Sequence, residues 1–314
     1  MRCTGLIASV LAMIGMTGCN TLARQDTVMP TAATRAAPQA VMPVRPRISH
    51  ELEDYYSKVQ AKLLAQGLLR VDGGGPDTPF TADMLARNFM RIALFEEFTA
   101  MGGSMVAKQT PSTLHRWKDP VRVQVEFGNT VPRDKRLTDR TRLTRLVDRL
   151  HSATGHPIRE VQDRANFHIF VVNEQERQAL APQLRKIIPN ISEAAVKAVT
   201  RMPRSNYCLV LALDPHQTGD YTKAIAVIRA EHPDLMRLSC LHEEVAQGLG
   251  LSNDSPLARP SVFNDDEEFG LLTYHDELLL RMLYDPRLTP GMTPAQAGPI
   301  VHMIAEELVN GGTG

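Results

Sequence analysis

Residues 240–254, CLHEEVAQGLGLSND, constrain this chain more than any other stretch. Leu241, Val245 and Leu249, with Leu251 just beyond, recur at helical spacing and form an apolar stripe that has to be buried. Gly250 stands where a helix ends on a left-handed residue without a Cβ. Glu243 and Gln247 are four apart, so their side chains leave the helix from one face. Glu244 adds a second carboxylate, and the chain then passes directly to Asn253 and Asp254. Acids and amides gathered over one helix end make this the candidate site.

The rest of the composition narrows the setting. The chain has 35 basic and 35 acidic residues and a formal net charge of zero, so no basic excess steers it to nucleic acid, and no nucleic-acid partner is expected. Hydrophobic residues make up 43% of the chain, which is the composition of a globular protein. GGGPDTP, residues 73–79, lacks the Lys-Ser/Thr of a phosphate-binding loop. The G-x-S-x-G turn of a serine hydrolase is missing too.

The first residues read as an address. Arg2 precedes the apolar run LIASVLAMIGM, which is too short to span a bilayer as a mature helix. Met16-Thr17-Gly18-Cys19 resembles a bacterial lipobox, with Met where Leu is usual. The alternative is an ordinary secretory signal that contains a cysteine. On the lipobox reading residues 1–18 are a signal peptide, Cys19 carries lipid and the membrane is a partner through that anchor. Asn20 and Thr21 follow without a retaining Asp, which favours a periplasm-facing outer-membrane position. Residues 19–48, rich in Ala, Pro, Thr and Arg, read as a disordered tether. Cys208 and Cys240 then remain, and in an oxidising compartment they read as one disulfide, the alternative being two buried thiols.

Beyond the tether, residues 49–69 and 81–101 read as helices forming a preface over 49–115, the first capped by Ser49 and the second stopped by Gly102-Gly103. Val121 to Phe127 alternates strictly, the mark of a strand with one buried face. A helix over 138–154 and a strand over 167–172 follow, then polar helical turns, strands over 207–213 and 224–230, and the central helix from 234. Helices over 273–284 and 294–308 close the chain. This order describes an α+β fold, a mixed sheet covered by helices over 116–314.

In a metzincin protease, H-E-x-x-H-x-x-G-x-x-H sets two imidazoles on one helix face for zinc. The Glu polarises water and the Gly turns the chain so that a third ligand can return. The run from Glu243 to Asp254 resembles that pattern with its ligands exchanged. Glu244 falls on the catalytic acid, Gly250 on the glycine, and Glu243, Gln247 and Asn253 on the three ligands. Ser261-Val262-Phe263-Asn264 resembles the turn beneath the metal, with Phe263 for Met. Asp276, Leu280, Leu283 and Tyr284 repeat the pattern of the helix that follows. A zincin-like domain is what this resemblance implies. The motifs C-x-x-E-E-x-x-Q-x-L-G-L-x-N-D, S-x-F-N-D and L-Y-D-P-R-L-x-P-G-M also resemble an uncharacterised family of bacterial lipoproteins, a domain of unknown function. Cys240, Asp265 and Gly291 are among the residues that carry this second likeness, which implies no activity.

Chemistry separates the remaining readings. An amide oxygen is a poor zinc ligand, whereas Glu243, Gln247, Asn253 and Asp254 suit a harder divalent ion, or none. No cofactor is expected beyond such an ion. The leading expectation is a non-catalytic binding or assembly role in the cell envelope, with a protein or peptide partner. The alternative is a metal-dependent, peptidase-like hydrolase with Glu244 and Glu243 as catalytic groups; a purely structural cation is a third. Without an ion, Glu243 and Gln247 would bond the Asn253–Asp254 loop and the Phe263 turn. His242 and His275 read as packed groups rather than ligands.

Overall fold

The computed structural model describes residues 47–101, 104–264 and 266–311, without side-chain surroundings over 97–108. The signal, tether residues 19–46 with Cys19, Gly102-Gly103 and Asp265 lie outside them, whereas Arg47 and Ile48, read as the end of the tether, open the first helix. The described residues fall within one unit spanning 42–314. No described helix is long and apolar enough to cross a membrane.

Strands β3 (Val121–Phe127), β4 (Ile158–Glu160), β5 (Phe167–Val172), β6 (Cys208–Leu213) and β7 (Lys223–Arg229) form a mixed sheet in the order β4-β3-β5-β7-β6. All neighbours pair in parallel except β6, which runs antiparallel to β7 at one edge. The side-chain pattern explains which strands are central. β5 and β7 are apolar at nearly every position and are buried on both faces, as the inner strands of a parallel sheet must be. Phe167, Ile169, Val171, Ala226 and Ile228 enter the main core. Phe170, Val172, Ile225 and Val227 point into a second core on the opposite face. β3 keeps the alternation that its sequence shows, with Val121, Val123 and Val125 inward and Arg122, Gln124 and Glu126 only partly covered.

Helices lie on both faces. The main core is closed by α2 (Ala82–Ala93), α3 (Arg133–Thr154), α7 (Asp234–Gln247), α8 (Tyr274–Leu283) and α9 (Pro294–Asn310). The second core is closed by α5 (Ala181–Ile187) and α6 (Glu193–Thr200), with α4 (Glu174–Gln178) leading in through an Asn173 capping box. The two helices read as a preface pack differently. α2 buries Leu85, Phe89 and Ile92 in the main core, whereas α1 (Arg47–Ala65) sits on a small satellite cluster of Tyr56, Leu69 and Met236.

One element differs in kind from the sequence expectation. The second helix ends at Ala93, and β1 (Phe95–Met101) turns back to pair antiparallel with β2 (Ser104–Pro111). Leu94 and Phe98 keep helical spacing, but pairing with a partner strand outweighs that weak local preference. The disulfide forms between Cys208 at the start of β6 and Cys240 in α7.

Candidate functional site

The site is built on the C-terminal end of α7, and its position is fixed from below. The stripe Leu241, Val245 and Leu249 is fully buried, with Leu251 beside it. Gly250 adopts φ +129°, and a Cβ there would lie 2.1 Å from the His115 carbonyl oxygen. Only glycine fits such a position. Carbonyls at this helix end have no intrahelical donor, and side chains supply two: Trp117 Nε1 donates to Gly248 O at 2.8 Å, and the Tyr284 hydroxyl donates to Leu249 O at 3.1 Å. Burial pushes the Tyr284 hydroxyl above the usual phenol range.

The candidate residues divide beyond the glycine. Gln247 Nε2 donates to Asp254 Oδ1 at 3.2 Å, so the amide meets the carboxylate of the loop that follows the helix. Asn253 points elsewhere. Its backbone N–H donates to Ile92 O and its Nδ2 to Arg91 O, which caps the end of α2. The side chain is fully buried there, away from Gln247's partner. Glu244 and Asp254 are buried and Glu243 is half-buried. Among the described residues no three His, Cys, Asp or Glu side chains come together in a way that could hold a metal ion.

The Ser261–Asn264 turn is held by one carboxylate. Asp276, fully buried in the first turn of α8, accepts from Ser261 Oγ at 2.5 Å, Val262 N at 3.0 Å and Thr273 N at 2.9 Å. Phe263 in that turn is wholly buried. Thr273 and Asp276 also form a capping box. The Ser261–Asn264 turn and the α8 pattern are thereby one staple, which the sequence likeness links only by order.

Both histidines serve packing. His242 accepts from the Leu272 N–H at 3.2 Å through Nδ1. Burial away from water holds it neutral, with its pKa depressed to about 3. His275 is fully buried, and its Nε2 lies 3.0 Å from Asn88 Nδ2.

A cleft of about 1090 Å³ opens over α7, just above the roughly 300–1,000 Å³ usual for small-molecule sites. Glu243, Glu244, Gln247 and Asp254 all line it; Asn253 does not. One wall is the edge strand β6, contributing five consecutive residues from Cys208 to Ala212. Every residue of β6 is partly exposed, although its side chains pack alternately into the two cores. α6 supplies Lys197 to the lining, Arg201 at its C-terminal cap adds a second cation, and β2 lies against α6. The disulfide ties β6 to α7 one turn before Glu243 and Glu244. Sequence reasoning finds α7 but not this wall, because nothing in the residues Cys208–Leu213 marks a strand as the last one in its sheet.

Fold and site together define an α+β protein with a cleft that runs along an antiparallel edge strand over an acid-bearing helix end. Residues 82–303 match a family described as a protein of unknown function, DUF2927, and the chain belongs to that family. No curated protein and no solved structure matches it.

Proposed function

We propose that this chain is a non-catalytic binding protein of the bacterial cell envelope, which holds an extended polypeptide segment in the cleft beside β6. The observation that carries the reading is the edge strand itself, five residues of which line a cleft large enough for a chain segment. An edge strand carries unpaired backbone N–H and C=O groups, and proteins usually blunt or cover such edges because they template pairing. Here the edge faces the cleft, which suits capture of an added strand through main-chain hydrogen bonds. The lipobox at Cys19 supports a lipid-anchored position facing the periplasm, with the outer membrane preferred.

The zincin likeness enters as ancestry. The antiparallel edge strand, the helix of the E-E-x-x-Q motif, the Gly250 turn and the Asp276 staple support a zincin-like scaffold. Gln247 bonded to Asp254 suits a site in which protein groups have replaced the ion. A hydrolase remains the second reading, favoured by the presence of Glu243 and Glu244 in the cleft lining.

Strand capture has a direct test. An extended peptide that binds the full chain should lose roughly tenfold or more in affinity when alternate backbone nitrogens are methylated, because the main-chain bonds carry the affinity. Equal binding of the methylated peptide would refute pairing with β6.

A further inference from the structure

The charge around the cleft is lopsided, and that says what kind of segment it takes. Glu243, Glu244 and Asp254 come from the end of α7 and its loop, and Glu96, Asp214 and Glu267 from three other segments. Against these stand two lining cations, Lys197 and Arg201, both from the α6 wall. The chain as a whole has zero net charge, so this excess is local to the cleft. Several of the acids engage other groups of the protein, and the six acids of the lining still outnumber its two cations. Low-dielectric walls concentrate such a field within a cleft.

We infer that the segment bound beside β6 is cationic, an extended stretch with Lys or Arg at alternate positions. The alternation follows from strand geometry: side chains of an added strand point alternately to opposite sides. One set would face the acids of α7 while the other leaves the cleft floor. A long basic side chain can lay its methylenes along the apolar wall of β6 and bring its charge to Glu243. Lys197 and Arg201 give the selectivity a sense, since they would repel a basic residue placed against α6.

This inference rests on the strand-capture reading, and the experiment separates the two. Acetylated Thr/Val peptides of about ten residues, differing only in whether alternate positions carry Lys, Gln or Glu, are titrated against the full chain by fluorescence anisotropy. The Lys peptide should bind roughly tenfold or more tighter than the Gln peptide, with the Glu peptide weakest and the preference shrinking as salt rises above about 0.1 M. Glu243→Gln should weaken the Lys peptide several-fold and leave the Gln peptide unchanged. Lys197→Gln, on the opposite wall and exposed to solvent in the cleft, should strengthen the Lys peptide, and a matched thermal melt establishes that both variants fold. Equal binding of Lys and Gln peptides would overturn the cationic preference while leaving strand capture intact. Tightest binding by the Glu peptide would overturn it in favour of the α6 cations. Binding by none of the three would remove both readings.

Discussion

His242 offers a test of how the candidate helix is used, because its state is fixed by burial. It lies 7% exposed on α7, accepts the Leu272 N–H, and stays neutral in the folded protein down to a pKa of about 3, against 6.5 for a free imidazole. The folded-state pKa is depressed, so the unfolded chain takes up the proton first as pH falls. Stability from this group is therefore complete above about pH 6.5 and is lost progressively towards about pH 3. Each pH unit in that window costs about 1.4 kcal/mol, so lowering pH from about 7 to about 5 should remove about 2 kcal/mol through His242. His232, buried and depressed in the same direction, adds to the fall, while Glu231, raised by burial, opposes it. Comparison with His242→Gln isolates the one group, since glutamine can accept the Leu272 N–H but does not titrate. Urea unfolding of both proteins at the two pH values should show the wild type losing about 2 kcal/mol more than the variant. Parallel losses would mean that His242 is accessible to protons in the folded state, and the packing account of this helix would fail.

Two further perturbations probe what positions the site. Arg237 and Asp139 form a buried two-pronged pair, at 2.6 and 2.9 Å, that fastens the start of α7 to α3. Arg237→Leu should cost roughly 3–5 kcal/mol by leaving Asp139 charged and buried, and Asp139→Leu with Arg237→Met should recover most of it. Equilibrium denaturation of the single and double variants measures this, and a single-variant loss below about 1 kcal/mol would contradict it. The Cys208–Cys240 bridge closes a separation of 32 residues. Its removal by paired serine substitution should cost about 3 kcal/mol in urea, and an unchanged midpoint would refute its role as the clamp between β6 and α7.

How much of this was legible in the sequence depends on the range over which each feature is encoded. β3 was readable because its alternation is local, and α7 because its stripe and Gly250 are. The pairing of Cys208 with Cys240, present in the structure, is what the reading of an exported chain with few cysteines expects. β4 was missed because three residues, Ile158–Glu160, carry no period. The β1 segment reads as helix from sequence because 94 and 98 fit either period until β2 supplies a partner. Glu243, Glu244, Gln247 and Asp254, which the sequence groups on one helix end and its loop, all line one cleft. Asn253 was grouped with them by spacing, yet its side chain is claimed by the end of α2, some 160 residues earlier in the chain. The cleft wall was not legible at all: Lys197 and Arg201 reach it only because α6 closes the second face of the sheet.

The most direct test of the central claim, that this helix end has become a binding floor rather than a metal centre, is the metal content of the full chain purified without chelator. The account predicts far less than one equivalent of any divalent metal, and no thermal shift on adding zinc, calcium or magnesium. One equivalent retained by the wild type and lost in Glu243→Ala or Gln247→Ala would contradict it and restore the hydrolase reading.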